Sequence, residues 1–220
     1  MKVLYIGLAR AIRLFDFVTM NPQGKNLDDA LAGVAKRYQF VQFPKNILDV
    51  DGQKGLPFKA GRFLNSKGTL VLVSVTIYSD GFVAETMSST DDSTAFLDDL
   101  INWLTTEGGL SKPHRVRNGF VSQIDFEMNA SLVAINPRLS QFLASFNSIA
   151  RAADGQVRTF ELAAMNFWTE DTGKLGAPSQ LRIERKIPSP FSYDHYFSQA
   201  PIQTSAHLHL LTEFENLLKA

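Results

Sequence analysis

The chain has 220 residues, with 22 Lys and Arg against 22 Asp and Glu, so its formal charge is zero. Apolar residues at 45% and charged residues at 20% match an ordinary globular chain and exclude intrinsic disorder. The lack of cysteine excludes disulfides, thiolate nucleophiles and Cys-ligated metals, and zero net charge excludes a global basic field of the kind nucleic-acid binders carry.

Arg10, Arg13 and Asp16 interrupt the apolar N-terminal segment before a signal-peptide core of about 7–15 residues can form. No stretch approaches the roughly 18 apolar residues of a membrane span. The expectation is a cytoplasmic protein with no membrane contact. No Pro/Gly/Ser-rich linker divides the chain, so residues 1–220 are expected to form a single compact domain.

Residues 3–18 allow either a helix, through Leu4, Leu8, Ile12 and Phe15, or a strand, through their β-branched and aromatic content; a strand is chosen. Asn26 then caps a helix over residues 27–38, with Asp28 and Asp29 in its first turn. Residues 57–88 read as a three-stranded meander. Phe58–Leu64 turns through Asn65-Ser66-Lys67-Gly68 into a strand ending at Tyr78, and Asp80-Gly81 marks the second hairpin. The middle strand is apolar on both faces and is predicted to be central in its sheet. Ser88–Ser93 opens a helix with Phe96, Leu97, Leu100 and Leu104 on one face, stopped by Gly108-Gly109.

Phe120–Met128 alternates as a strand. Asn136-Pro137 starts a helix whose Leu139, Phe142, Leu143, Phe146 and Ile149 read as its core stripe. Val157–Trp168 and Gln180–Ile187 are strands joined by a turn over residues 169–176. Residues 188–203 show no regular period and are taken as a loop, and Thr204 or Ser205 caps a final helix. The fold class is therefore α+β, a largely antiparallel sheet with four helices. The order β-α-β-β-β-α followed by β-α-β-β-α suggests two similar halves, 1–110 and 111–220, although no residue-level repeat supports a duplication.

No phosphate loop, dinucleotide fingerprint, nucleophile elbow or zinc helix motif occurs, so neither a cofactor nor a metal site is predicted. Asp80, Asp91 and Asp92 would hold a hard cation only if the fold gathered them; helix capping explains them more simply. The 188–203 loop concentrates aromatic residues. Phe191, Tyr193, Tyr196 and Phe197 are candidate binding residues there. His195, with Asp194 and Ser198, is a candidate catalytic set for a hydrolase-like alternative. His207 falls near the buried stripe of the last helix, and His209 on its exposed face.

Residues 68–111 hold seven acids and no Lys or Arg, so the remainder of the chain is net positive. Acidic and basic faces of this kind would let copies assemble or a partner dock. Arg115, Arg117, Arg182 and Arg185 are candidate binding residues for a second alternative, single-stranded nucleic acid. With seventeen phenylalanines, more than a core of this size obviously needs, the leading expectation is a non-catalytic interaction or assembly module. It would self-associate as a homo-oligomer or serve as a subunit with a protein partner.

Overall fold

The structure, a computed structural model, describes residues 1–44, 55–157, 159–170, 180–187 and 189–219. The chain runs β1 (Lys2–Leu14), α1 (Asp28–Arg37), β2 (Leu56–Leu64), β3 (Leu70–Tyr78), β4 (Gly81–Thr86) and α2 (Thr90–Thr106). It continues through β5 (Arg117–Glu127), α3 (Pro137–Asp154), β6 (Ala164–Trp168), β7 (Gln180–Arg185), β8 (His195–Ala200) and α4 (Thr204–Lys219). The strands form one eight-stranded antiparallel sheet in the order β2-β3-β4-β1-β5-β8-β7-β6. This α+β architecture with four helices is the one expected. The spatial order is a mirror about the β1–β5 pair, and each half runs β-α-β-β-β-α.

Side chains alternate between two faces of the sheet. On one face Ala11, Val73, Val75, Ile77, Phe82 and Ala84 pack with Val34 of α1 and Phe96, Leu97 and Leu100 of α2. Farther along, Ile124, Phe126, Ile183 and Tyr196 pack with Leu211 and Leu218 of α4. The other face carries the Arg10–Glu85 pair and the register neighbours Leu64 and Leu70, with Leu72 beside them. Local chemistry sets the element ends. Ser89 accepts from the Asp92 amide at the start of α2, and Asn26 accepts from the Asp28 amide at the start of α1. Gly81 forms the β3–β4 hairpin at φ 147°, and a Cβ there would lie 2.1 Å from the Arg13 carbonyl oxygen.

Several expectations need correction. β3 is not central; it is second from the edge, and Leu70 and Leu72, on the face with no helix, are exposed. Residues 188–203 are not one irregular loop: a short 3-10 turn at Phe191–Tyr193 leads into β8, which pairs with both β5 and β7. The strand expected over 157–168 is confined to Ala164–Trp168. Most of the turn expected over 169–176 lies outside the described residues. Among the described residues no helix is long and apolar enough to cross a membrane.

Candidate interaction surface

Asn136 accepts a hydrogen bond from the Arg138 amide (3.0 Å), Pro137 occupies the first helical position, and Gly155 ends α3 in the left-handed region at φ 72°. These signals make a helix of the segment without saying where its apolar stripe points. The aromatic side of the stripe is exposed, with Phe142 and Ile149 each 65% accessible and Phe146 42%, while Leu139 and Leu143 are half-buried. Its positional counterpart α1 buries Ala30, Val34 and Ala35 in the core. Phe142 and Phe146 stack with centroids 6.5 Å apart, and Phe146 meets Phe160 edge-on at 4.8 Å. The Phe160 amide donates to Asn147 Oδ1 at 2.8 Å, which ties the following chain to α3.

From Phe160 the chain runs into an ion network centred on the buried Arg185. Glu161 Oε2 accepts from Arg185 Nη2 at 3.2 Å, and the same nitrogen donates to Asp194 Oδ1 at 3.0 Å. Arg185 Nη1 donates to the Phe191 carbonyl at 2.9 Å, and the guanidinium lies 4.8 Å from the Phe191 ring and 5.2 Å from the Tyr196 ring. Asp194 holds a left-handed conformation (φ 43°) that aims its carboxylate back at this arginine. Phe191 and Tyr193 are thereby fixed in exposed positions. Phe142, Phe146 and Phe160 are thus joined by ring contacts, and Phe191 and Tyr193 are exposed beyond the Glu161–Arg185–Asp194 network that starts at the residue after Phe160. Clustered exposed aromatics of this kind mark interaction sites.

The other residues singled out in the sequence go to different places. Tyr196 is fully buried, its ring 5.9 Å from Phe126 and its hydroxyl 3.1 Å from Asp194 Oδ1. Burial and that carboxylate raise its ionisation above the ordinary phenol value, against the nearby Arg185. Phe197 is half-buried on the sheet face with no helix, paired with Asp125 and Glu184. Asp194 and Ser198 do not join His195. Ser198 is fully buried and donates to the Arg182 carbonyl (2.8 Å), so it accepts from His207 Nε2, also at 2.8 Å. Burial lowers His207 to about 4, so the ring is neutral.

His195 instead has Ser189 Oγ at 3.3 Å from Nδ1 and Asp125 Oδ2 at 3.8 Å from Nε2. That second distance is too long for a hydrogen bond. The Asp125 carboxylate is engaged by the Lys186 ammonium, which also donates to the Tyr5 hydroxyl at 2.7 Å. Those two partners, Asp125 first, raise the Lys186 ammonium above its usual value. In the sequence Lys186 stands out only as a basic neighbour of Arg182 and Arg185, and nothing there singles out Asp125 or Tyr5. Asp125 lies on the strand face opposite Ile124 and Phe126 and is almost entirely buried.

The four candidate arginines are not brought together. Arg182 pairs with Glu184 on one face of β7, and Arg185 is buried on the other. Three positions apart on a strand, they must point to opposite sides. Arg115 and Arg117 share a cleft of about 610 Å³ with Leu14, Phe15, Asp16, Asp80 and His114. The charge segregation along the sequence is partly undone in space, for three of the seven acids. Glu85 pairs with Arg10, Asp98 with Arg13 (3.0 Å) and Asp99 with Arg37 (3.1 Å). Asp99 also accepts from the Tyr38 hydroxyl at 2.6 Å. Among the described residues no group of three or more His, Asp or Glu is placed to hold a metal, so Asp80, Asp91 and Asp92 are not gathered into one.

The sequence matches no known family and no curated protein. Among solved structures the chain is similar to Methanococcus jannaschii TBP, with a TM-score of 0.47 and 10% identity over 99% of this chain and 97% of that one, a likeness from which nothing about function is carried across.

Proposed function

We propose that the chain is a protein-interaction module whose docking surface is the aromatic array Phe142, Phe146, Phe160, Phe191 and Tyr193. The observation that carries this reading is α3, an eighteen-residue amphipathic helix that leaves Phe142, Phe146 and Ile149 of its apolar stripe in solvent. Aromatic side chains bring large contact area at low entropic cost and anchor interfaces. Because Glu85, Asp98 and Asp99 are already neutralised within the chain, association through this array rests on apolar burial, not on opposed charged faces.

A second copy of the chain is the first partner to test, by light scattering after size exclusion at low and moderate salt. The expected result is an oligomer that persists as salt rises and dissociates in the double variant Phe142→Ser, Tyr193→Ser. If the chain is monomeric, a complex with another protein must show the same sensitivity to the two substitutions. A complex of defined stoichiometry that survives both of them would sink the proposal.

A further inference from the structure

We infer that the cleft at the start of β5 binds a phosphate group through Arg115 and Arg117. Arg10, Arg13, Arg37, Arg182 and Arg185 each pair with a carboxylate, whereas Arg62, Arg138 and Arg151 lie outside this cleft. Arg115 and Arg117 make no ion pair with any described residue, although Asp16 and Asp80 line the same cleft. Asp16 accepts from the Val18 amide at 2.9 Å and so is held toward its own backbone, and the two guanidinium groups share the cleft with the carboxylates of Asp16 and Asp80. His114 adds a third nitrogen donor beside them.

Arg115 also sits at φ 53°, in the left-handed region that few non-glycine residues adopt. The Asp80-Gly81 hairpin and the Leu14–Arg117 register pair bring the ends of β4, β1 and β5 together at the cleft. About 610 Å³ falls within the size range of small-ligand sites, and Phe15 gives the wall an apolar residue. Paired guanidinium forks fit the tetrahedral oxygens of a phosphate, which suits this geometry better than a lone lysine would. The site lies at the opposite end of β5 from the aromatic array, whose Asp194 precedes the His195–Glu127 register pair. Failure of either proposal therefore leaves the other standing.

The test is calorimetric titration with inorganic phosphate and with adenosine monophosphate, beside fluorescence anisotropy with a short labelled single-stranded oligonucleotide at low salt. Arg115→Gln with Arg117→Gln is expected to weaken binding by about tenfold or more, and Asp80→Asn to strengthen it. Arg117→Gln alone leaves the left-handed residue untouched and keeps the comparison valid if the double variant fails to fold. Binding of the small phosphates identifies a small-molecule source. Binding of the oligonucleotide alone identifies a strand backbone, with a salt slope that falls by about 0.7 for each phosphate no longer neutralised. No binding of any of the three probes overturns the inference, as does binding unaffected by the arginine substitutions.

Discussion

Phe96 and Phe142 look alike in the sequence, each on the apolar stripe of an amphipathic helix, and the structure assigns them opposite fates. Phe96 is fully buried, with the Tyr38, Phe63 and Phe40 rings at 4.8, 5.6 and 6.4 Å. Truncating it to alanine removes its transfer free energy and leaves a cavity, a loss of about 3–5 kcal/mol. Phe142 is 65% exposed, so only about a third of its side-chain area, roughly 70 Å² of an aromatic's ~200 Å², is withdrawn from water. At about 25 cal/mol per Å² that contributes at most about 1.7 kcal/mol. Alanine's better helix propensity returns about 0.5 kcal/mol, so Phe142→Ala should cost about 1 kcal/mol. Urea denaturation of the two variants, followed by circular dichroism at a protein concentration where the chain is monomeric, measures the difference directly. Equal losses would mean that α3 packs against the sheet in solution, and the aromatic array would then not be free to bind.

The remaining predictions concern buried polar groups and one turn. His207 is held neutral at about 4, whereas the unfolded chain takes up its proton near 6.5, so its contribution is complete above pH 6.5 and is lost as pH falls from 6.5 to 4. The loss amounts to about 3 kcal/mol at its limit; His207→Gln should flatten that part of the pH–stability curve, and an unchanged slope would count against a neutral buried ring. Arg185→Ala leaves the Glu161 and Asp194 carboxylates without their cation and should cost about 3 kcal/mol in denaturant unfolding. Arg185→Lys should recover little of this, because an ammonium lacks the planar fork that serves Glu161, Asp194 and the Phe191 carbonyl together. Gly81→Ala should lower the thermal midpoint sharply, since its Cβ would meet the Arg13 carbonyl at 2.1 Å; a variant as stable as the parent would refute the hairpin geometry.

Much of the fold is legible in the sequence because its signals are local. Asn26, Ser89 and Asn136 announce helix starts, Gly81 a hairpin, and the alternation Ser122, Ile124, Phe126 a strand with one buried face. β8 escapes the sequence because the prolines and aromatics around it mask a strand of only six residues. Its partners, β5 and β7, lie far from it or across an intervening turn, and that pairing is what makes it a strand. The exposed half of the candidate surface is hidden for a related reason. The stripe of α3 satisfies the helical period as well as the stripe of α2 does, and period reports amphipathicity without saying which surface covers it.

The site residues divide along the same line. Phe191 and Tyr193 are recognisable as an aromatic concentration, and their exposure follows from Arg185 and Asp194 anchoring the short turn between β7 and β8. That Arg182 and Arg185 point apart follows from strand periodicity alone, whereas the gathering of Arg115 with Arg117 beside Asp80 depends on the β3–β4 hairpin meeting the approach to β5. Sequence by itself determined the α+β class, most element boundaries and the neutrality of the whole. Tertiary structure alone decided which acid met which base and which apolar stripe stayed uncovered. Local propensity acts over a few residues, whereas ion pairing and burial depend on neighbours that only the folded sheet brings within reach.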